Sequence, residues 1–192
     1  MSSKEKKVIL GLVGLPGSGK TTTAKILAKQ GYKNIILSSF IKEELKKKKL
    51  KISRKNLQDM GDWLRNKKGP DILTRLALQK IEKQKIKKAT IDGIRNLAEV
   101  ERLKKELNFH LLGISATPDK RFNRLCKNKD KYDNFQTWDE FVYYELREDR
   151  GTKGKTGQQN QLCFLQAQHF ITNDVGLKTL ENKIKNFLRR IS

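Results

Sequence analysis

One stretch near the N-terminus narrows the possible folds more than any other: VILGLVG at residues 8–14, followed at once by LPGSGKTTTAKILAKQ at 15–30. The first seven residues are continuously apolar and include β-branched side chains, which suits a strand buried on both faces of a parallel sheet. Gly14, Leu15, Pro16, Gly17, Ser18, Gly19, Lys20 and Thr21 then match G-x-x-x-x-G-K-[ST] at every fixed position, with Thr22 next in line. Glycines let backbone N–H groups converge on an anion, because they tolerate positive φ and carry no side chain to block the approach. The segment after them has helical spacing, so a helix N-terminus faces the same anion.

In that context Lys20 is expected to reach the terminal phosphates of a nucleoside triphosphate as a point charge, and the Thr21 hydroxyl to ligate Mg²⁺. The motif establishes what is held but not what the phosphate is for.

The 192 residues suffice for one well-buried α/β core and are too few for two ordinary domains. No apolar run approaches the roughly 18 residues of a membrane span. The N-terminal MSSKEKKVIL runs directly into the first strand, which leaves no room for a signal peptide and makes a cytoplasmic location the expectation. Cys126, Cys163, His110 and His169 are too few and too scattered for a disulfide framework or a zinc site. The net charge of +22 invites a nucleic-acid partner. However, 32 of the 43 basic residues are lysines spread over polar helix faces such as KKKKLK at 46–51, rather than arginines clustered with aromatics. A nucleic-acid partner is thus possible but not required, and a membrane partner is not expected.

Further along, NIILSS at 34–39 is expected to form a second strand, and FIKEELKKKKL a helix. Ser53 should cap a helix ending before Gly69-Pro70, and 71–85 has helical spacing. Roughly fifty residues therefore separate the second strand from the third, an excursion long enough to suggest function. KKATIDGI at 87–94 supplies the third strand, and Asn96 with Glu99 starts a helix as a capping box. FHLLGISA at 109–116 is the fourth strand, Thr117-Pro118 opens a helix, and Thr137 caps another. The segment 151–161 is expected to be a loop, and 168–172 a last strand before an amphipathic helix. Five strands alternating with helices give a parallel sheet covered on both faces, with ligands at the carboxyl ends of the strands.

Phosphoryl transfer needs a metal, neutralising cations and a positioned acceptor more than a protein nucleophile. Asp92, at a strand end facing the loop, is placed to hold the Mg²⁺ shell or to take the acceptor's proton. Arg95 is placed to grip an acceptor phosphate or the transferring group. Arg121, Arg124, Arg147 and Arg150 flank the polar 127–161 region, as the arginines of a closing lid would. Arg65 is a candidate anion ligand in the 39–87 excursion. Trp63, Trp138, Tyr143 and Tyr144 either stack on a base or pack within their helices.

Taken together, GLPGSGKTT, IDGIRNLAEVERLKK, NFQTWDEFVYYELRED and ITNDVGLKTLENKI resemble the small P-loop nucleotide kinases. The resemblance is to their adenylate-kinase-like and dephospho-CoA-kinase-like archaeal branch, and it runs from about Lys7 to Leu188. It implies a three-layer P-loop NTPase fold with a core at 1–38, 88–126 and 162–192. It further implies an acceptor-binding insertion at 39–87, a lid at 127–161, and Mg²⁺ and ATP as cofactor and donor. Asp92 and Arg95 take the places of the Asp and Arg of the D-G-x-R segment, Asn173 lies where relatives place the adenine, and Arg65 lies where they bind the acceptor. Two departures bear on the acceptor: Ile94 stands where many relatives have proline, and Ser39-Phe40-Ile41-Lys42 replaces Asp-x-x-Arg, which loses a carboxylate and the bidentate grip of arginine. The implied activity is ATP-dependent phosphorylation of a small nucleotide-like acceptor, a nucleoside monophosphate or dephospho-CoA. The rival is a P-loop ATPase that uses hydrolysis to regulate its grip on RNA or a ribonucleoprotein.

Overall fold

The computed structural model describes residues 7–127, 137–149 and 157–191. Five strands, β1 (Val8–Val13), β2 (Lys33–Ile36), β3 (Lys88–Asp92), β4 (Phe109–Ser115) and β5 (His169–Thr172), form one sheet in the order β2-β3-β1-β4-β5. Every pairing is parallel, so all five carboxyl ends open on the same side. β1 lies at the centre and is buried along nearly its whole length, as its continuous apolar run predicts.

The strand alternation sends side chains to two cores. Ile9 and Val13 join Ile35, Ala89, Ile91 and Leu111 on one face, under α2 (Leu37–Lys47), α3 (Arg54–Lys68), α4 (Ile72–Lys83), α5 (Leu97–Leu103) and α8 (Asn160–Leu165). Leu10 and Leu12 join Leu112, Ile114 and Ile171 on the other, under α1 (Lys20–Lys29) and α9 (Leu177–Ile191). With α6 (Pro118–Cys126) and α7 (Trp138–Asp149), which share a small cluster around Leu125 and Phe141, there are nine helices among the described residues. None of these helices is long and apolar enough to cross a membrane.

The expected caps form. Ser53 Oγ accepts from Asn56 N at 3.2 Å, and the Asn96–Glu99 capping box is complete. The second strand differs from its expected span: it stops at Ile36 and α2 begins at Leu37. The reason is packing, because Leu37, Ile41 and Leu45 form one buried stripe at helical spacing that starts at Leu37. Asn160–Leu165, whose first two residues fall inside the expected loop, is helical because Cys163 is drawn into the core beneath α5 while Phe164 packs against its edge. Of the 127–161 region, residues 128–136 and 150–156 lie outside the described residues.

Cys163 is fully buried, and burial, reinforced by the Glu99 charge and opposed by Arg65, pushes its thiol up to about 12. The thiolate is the reactive form, so Cys163 is expected to resist a thiol reagent at pH 8 while the half-buried Cys126 reacts first. Counting modified thiols with and without denaturant checks this; two fast-reacting thiols in the folded protein would contradict it.

Candidate active site

The loop 14–21 leaves the carboxyl end of the central strand and turns into α1, whose first residue is Lys20. Its backbone geometry depends on glycine at two points above all. Gly17 has φ of 77°, and a Cβ there would lie 2.7 Å from the Arg121 carbonyl oxygen; Gly19 has φ of 109°, and a Cβ there would lie 2.3 Å from Asn173 Nδ2. Both the left-handed backbone and the closeness of β5 and α6 exclude a side chain. Gly19→Ala is expected to cost about 1–3 kcal/mol in backbone strain alone and to weaken nucleotide binding by displacing Asn173. Thermal melts with titration of a fluorescent ATP analogue check both effects.

Lys20 Nζ donates to the carbonyls of Gly14 (2.6 Å) and Leu15 (3.1 Å), which holds the ammonium over the loop. Ser18 Oγ is fully buried with no hydrogen-bond partner among the described residues. A cradle of strained glycines, an ammonium that donates to two loop carbonyls, and a buried hydroxyl with no partner among the described residues together fit a polyanion of triphosphate type. The Thr21 side chain is exposed at the helix start and Thr22 is half-buried. Asp92, 8% exposed, ends β3 and pairs in register with Leu12, one strand over from the loop. Thr21 and Asp92 are the groups that would hold Mg²⁺, an ion that keeps waters and needs only one or two protein ligands beside substrate phosphates. No group of three or more His, Cys, Asp or Glu side chains converges among the described residues.

Behind the loop, the structure assigns work that sequence reading placed elsewhere. Asn173 Nδ2 donates to the Ser18 carbonyl at 2.9 Å and its backbone N to Ser115 O at 2.8 Å, so this residue braces the loop. Arg124, expected among the lid arginines, donates to Gly17 O (3.2 Å) and Asn173 O (2.6 Å) and serves the same brace. Arg121, only 4% exposed, pairs with both oxygens of Glu145, donates Nε to Ala116 O at 3.1 Å and lies over the Phe141 ring at 5.2 Å. It ties α7 to α6 beside a cavity of about 230 Å³ that Leu15, Ser18, Ser115 and Gln161 also line. The α7 residue Arg147 has its side chain, and Arg150 its whole position, outside the described residues.

On the other side of the loop, Arg95 follows Asp92 by three residues and donates Nη1 to Gln158 Oε1 at 2.7 Å. Arg65 differs most from its expected role as an anion ligand. It is 3% exposed, with Nε and Nη2 on Glu99 Oε1 at 3.3 and 3.1 Å and Nη1 3.7 Å from Asp62. Its charge is spent inside the protein, joining α3 to α5. Ser39 Oγ donates to Ile36 O at 2.7 Å within the first turn of α2, and Lys42 is exposed on the same helix. Trp138 packs edge-on against Phe122 at 5.3 Å, which fits the packing alternative, while Trp63 sits under Lys48 Nζ at 3.9 Å.

Two groups went unnoticed in the sequence. Glu99 was legible as half of a capping box, but not as the buried partner of Arg65. Asp174 accepts from Thr117 N at 2.8 Å and so joins the start of α6 to the end of β5; the adjacent Asn173-Asp174 was its only signal.

With this geometry in place, comparison with known proteins is informative. A sequence model described as an AAA domain matches residues 13–141. A UPF0200 protein of Thermococcus gammatolerans is 28% identical over 189 residues, covering 96% of this chain and 95% of its own. A UPF0200 protein of Thermococcus kodakarensis is 30% identical over 146 residues, covering 73% and 78%. Among solved structures, TT1252 from Thermus thermophilus superposes with a TM-score of 0.66 at 18% identity over 97% of this chain and 99% of its own. Shikimate kinase from Acinetobacter baumannii, in complex with shikimate, does so with a TM-score of 0.57 at 17% identity over 97% and 94%. These structural likenesses define a kinase-like P-loop fold, and the sequence matches show that the chain belongs to the AAA domain family and to the UPF0200 proteins.

Proposed function

We propose that this protein is an ATP-dependent phosphotransferase acting on a small nucleotide-like acceptor, a nucleoside monophosphate or the 3′-hydroxyl of dephospho-CoA. The observation that carries the reading is the placement of Asp92 and Arg95. A strand-end carboxylate lies one strand from the phosphate loop, and an arginine follows three residues later, just before α5. An arginine after the strand-end carboxylate suits the grip on an acceptor phosphate or on the transferring group.

In this reading Lys20 and the amides of Gly14–Thr22 hold the β- and γ-phosphates, and Thr21 and Asp92 hold Mg²⁺. The ion, when bound, supplies charge neutralisation of the phosphate oxygens. Asp92 would alternatively accept the proton of the attacking hydroxyl. Arg95, with Ser39 and Lys42 from α2, orients the acceptor from the 39–87 insertion. Arg121 fixes α7 beside the loop, and Arg147 on that helix is the candidate for neutralising charge as the 127–161 lid closes. Exclusion of water by that closure keeps the phosphoryl group for the acceptor. A cytoplasmic location accords with a supply of ATP.

The test is ADP release from Mg-ATP, alone and with nucleoside monophosphates, deoxynucleoside monophosphates and dephospho-CoA, with products identified by mass. One acceptor that stimulates release and gains a phosphate supports the reading. Stimulation by RNA alone, with no phosphorylated small product, overturns it in favour of an RNA-regulated ATPase.

A further inference from the structure

The positive charge is concentrated in one part of the chain. Residues 42–68 carry eleven lysines and arginines against four carboxylates, and apart from Arg65, buried against Glu99, most of this charge falls at the ends of α2 and α3. α2 closes where Lys49 takes a left-handed φ of 55°, with Lys49 N donating to Lys46 O at 3.0 Å and Leu50 N to Leu45 O at 2.9 Å. At that turn Lys48 reaches α3, and its Nζ lies 3.9 Å from the centre of the Trp63 ring. The end of α3 comes to the same place. Lys47 Nζ donates to Glu44 Oε1 at 2.7 Å, and that bond first, then the charges of Lys68 and Lys48, hold the Glu44 carboxyl below its usual range against a slight effect of burial. Lys48, Lys68 and Trp63 thus share one corner of the molecule, with Glu44 and Glu43 the carboxylates beside it.

Lysines in the last turns of α2 and α3 offset the negative ends of the helix dipoles, which accounts for Lys46, Lys47, Lys67 and Lys68 without any ligand. It does not account for Trp63, which keeps 39% of its surface exposed while Met60 and Leu64 of the same helix enter the core. An exposed indole beside lysines offers an unpaired base a stacking face and the adjoining phosphates a cationic track. The lysine contact that now covers the ring is of the weak, solvent-exposed kind, and base stacking on an aromatic ring is the stronger of the two. A base therefore displaces the Lys48 ammonium, which turns to a neighbouring phosphate. Bases within a duplex have both faces covered, whereas the loops, bulges and ends of RNA present them unstacked.

We propose that the corner formed by the end of α2 and the α3 surface around Trp63 binds single-stranded RNA, one base stacking on Trp63 while Lys48 and Lys68 take the adjoining phosphates. Lysine lacks the planar fork that reads a base edge, so the grip is tolerant of sequence. This surface is separate from the phosphate loop, and the inference does not depend on the phosphotransfer reading.

In the test, the full chain is titrated into a labelled single-stranded RNA of about fifteen nucleotides and followed by anisotropy between about 50 and about 300 mM KCl. A duplex RNA of the same length and phosphatidylcholine vesicles with about one-third phosphatidylserine are the comparisons. The single strand is expected to bind more tightly than the duplex and to quench tryptophan fluorescence. Trp63→Leu should weaken the single strand about tenfold and remove most of the quenching, with the salt slope and the duplex affinity unchanged. Trp63→Tyr should retain most of the affinity, a distinction that a purely electrostatic surface would not make. The double variant Lys48→Gln/Lys68→Gln should make the slope of log K against log salt shallower by about 1.4. Both lysines are exposed, so this variant tests the surface even where a Trp63 variant fails its thermal melt. Single strand and duplex bound alike with Trp63→Leu without effect, a salt slope unmoved by the loss of both lysines, or binding to the acidic vesicles with none to RNA would each overturn the proposal. Acceptor-dependent ADP release is measured separately, so either reading can fail alone.

Discussion

Lys20→Met is expected to lower ADP release from Mg-ATP by about a thousandfold while shifting the melting temperature by no more than a few degrees. The ammonium donates to two neutral carbonyls of its own loop, contacts local to residues 14–20 whose loss is expected to cost the fold little. In a phosphoryl-transfer transition state the same ammonium faces charge that develops on phosphate oxygens, where loss of one preorganised cationic donor costs on the order of 10²–10³ in rate. Lys20→Arg should rescue little, because a guanidinium is bulkier and planar where the loop offers room for a point charge. Steady-state ADP release beside thermal melts decides the matter. A variant with wild-type turnover would remove this loop from the chemistry, and a variant that unfolds would show Lys20 to be structural.

The largest effect on stability is expected from Glu99→Ala, at about 3–5 kcal/mol. Arg65 is 3% exposed and Glu99 fully buried, so deleting the carboxylate leaves a guanidinium with its main partner gone and no water to replace it. It also removes Glu99 Oε2, to which the N–H groups of Arg95 and Asn96 both donate. For a chain of this length the loss corresponds to a fall of roughly 10 °C or more in melting temperature. The pair Arg65→Met with Glu99→Gln should recover most of it, because the buried charge is removed from both sides while the amide oxygen still accepts from the backbone. Urea denaturation with a common m-value measures both variants. A cost below about 1 kcal/mol for Glu99→Ala would mean that water reaches Arg65 and that the pair is not a buried link between α3 and α5.

Much of the fold and part of the site were legible in the chain itself. A continuous apolar run, a glycine-rich loop and a helical period in that order specify strand, phosphate cradle and helix through local sterics and hydrogen bonding alone. The caps at Ser53 and Asn96 were legible for the same reason, since each is satisfied within four residues. The strand count, the parallel sheet and the strand-end position of Asp92 followed from alternation of strand and helix. The start of α2 at Leu37 was misplaced because β-branched residues and a helical stripe overlap there, and only the core facing Leu37 chooses between them.

The arginines mark the boundary. Arg65, Arg95, Arg121 and Arg124 are interchangeable in a linear reading, each a cation near a polar stretch. The structure separates them by partner: Arg65 meets Glu99 across 34 residues, Arg121 meets Glu145 across 24, Arg124 meets Gly17 across 107, and Arg95 meets Gln158 across 63. The sequence by itself determined the buried strand, the glycine-rich loop at 14–21 and the helix that follows, because that geometry is local. Which segment each cation braces was decided only by the tertiary structure. The worth of a charge depends on the burial and the partners that distant segments bring to it.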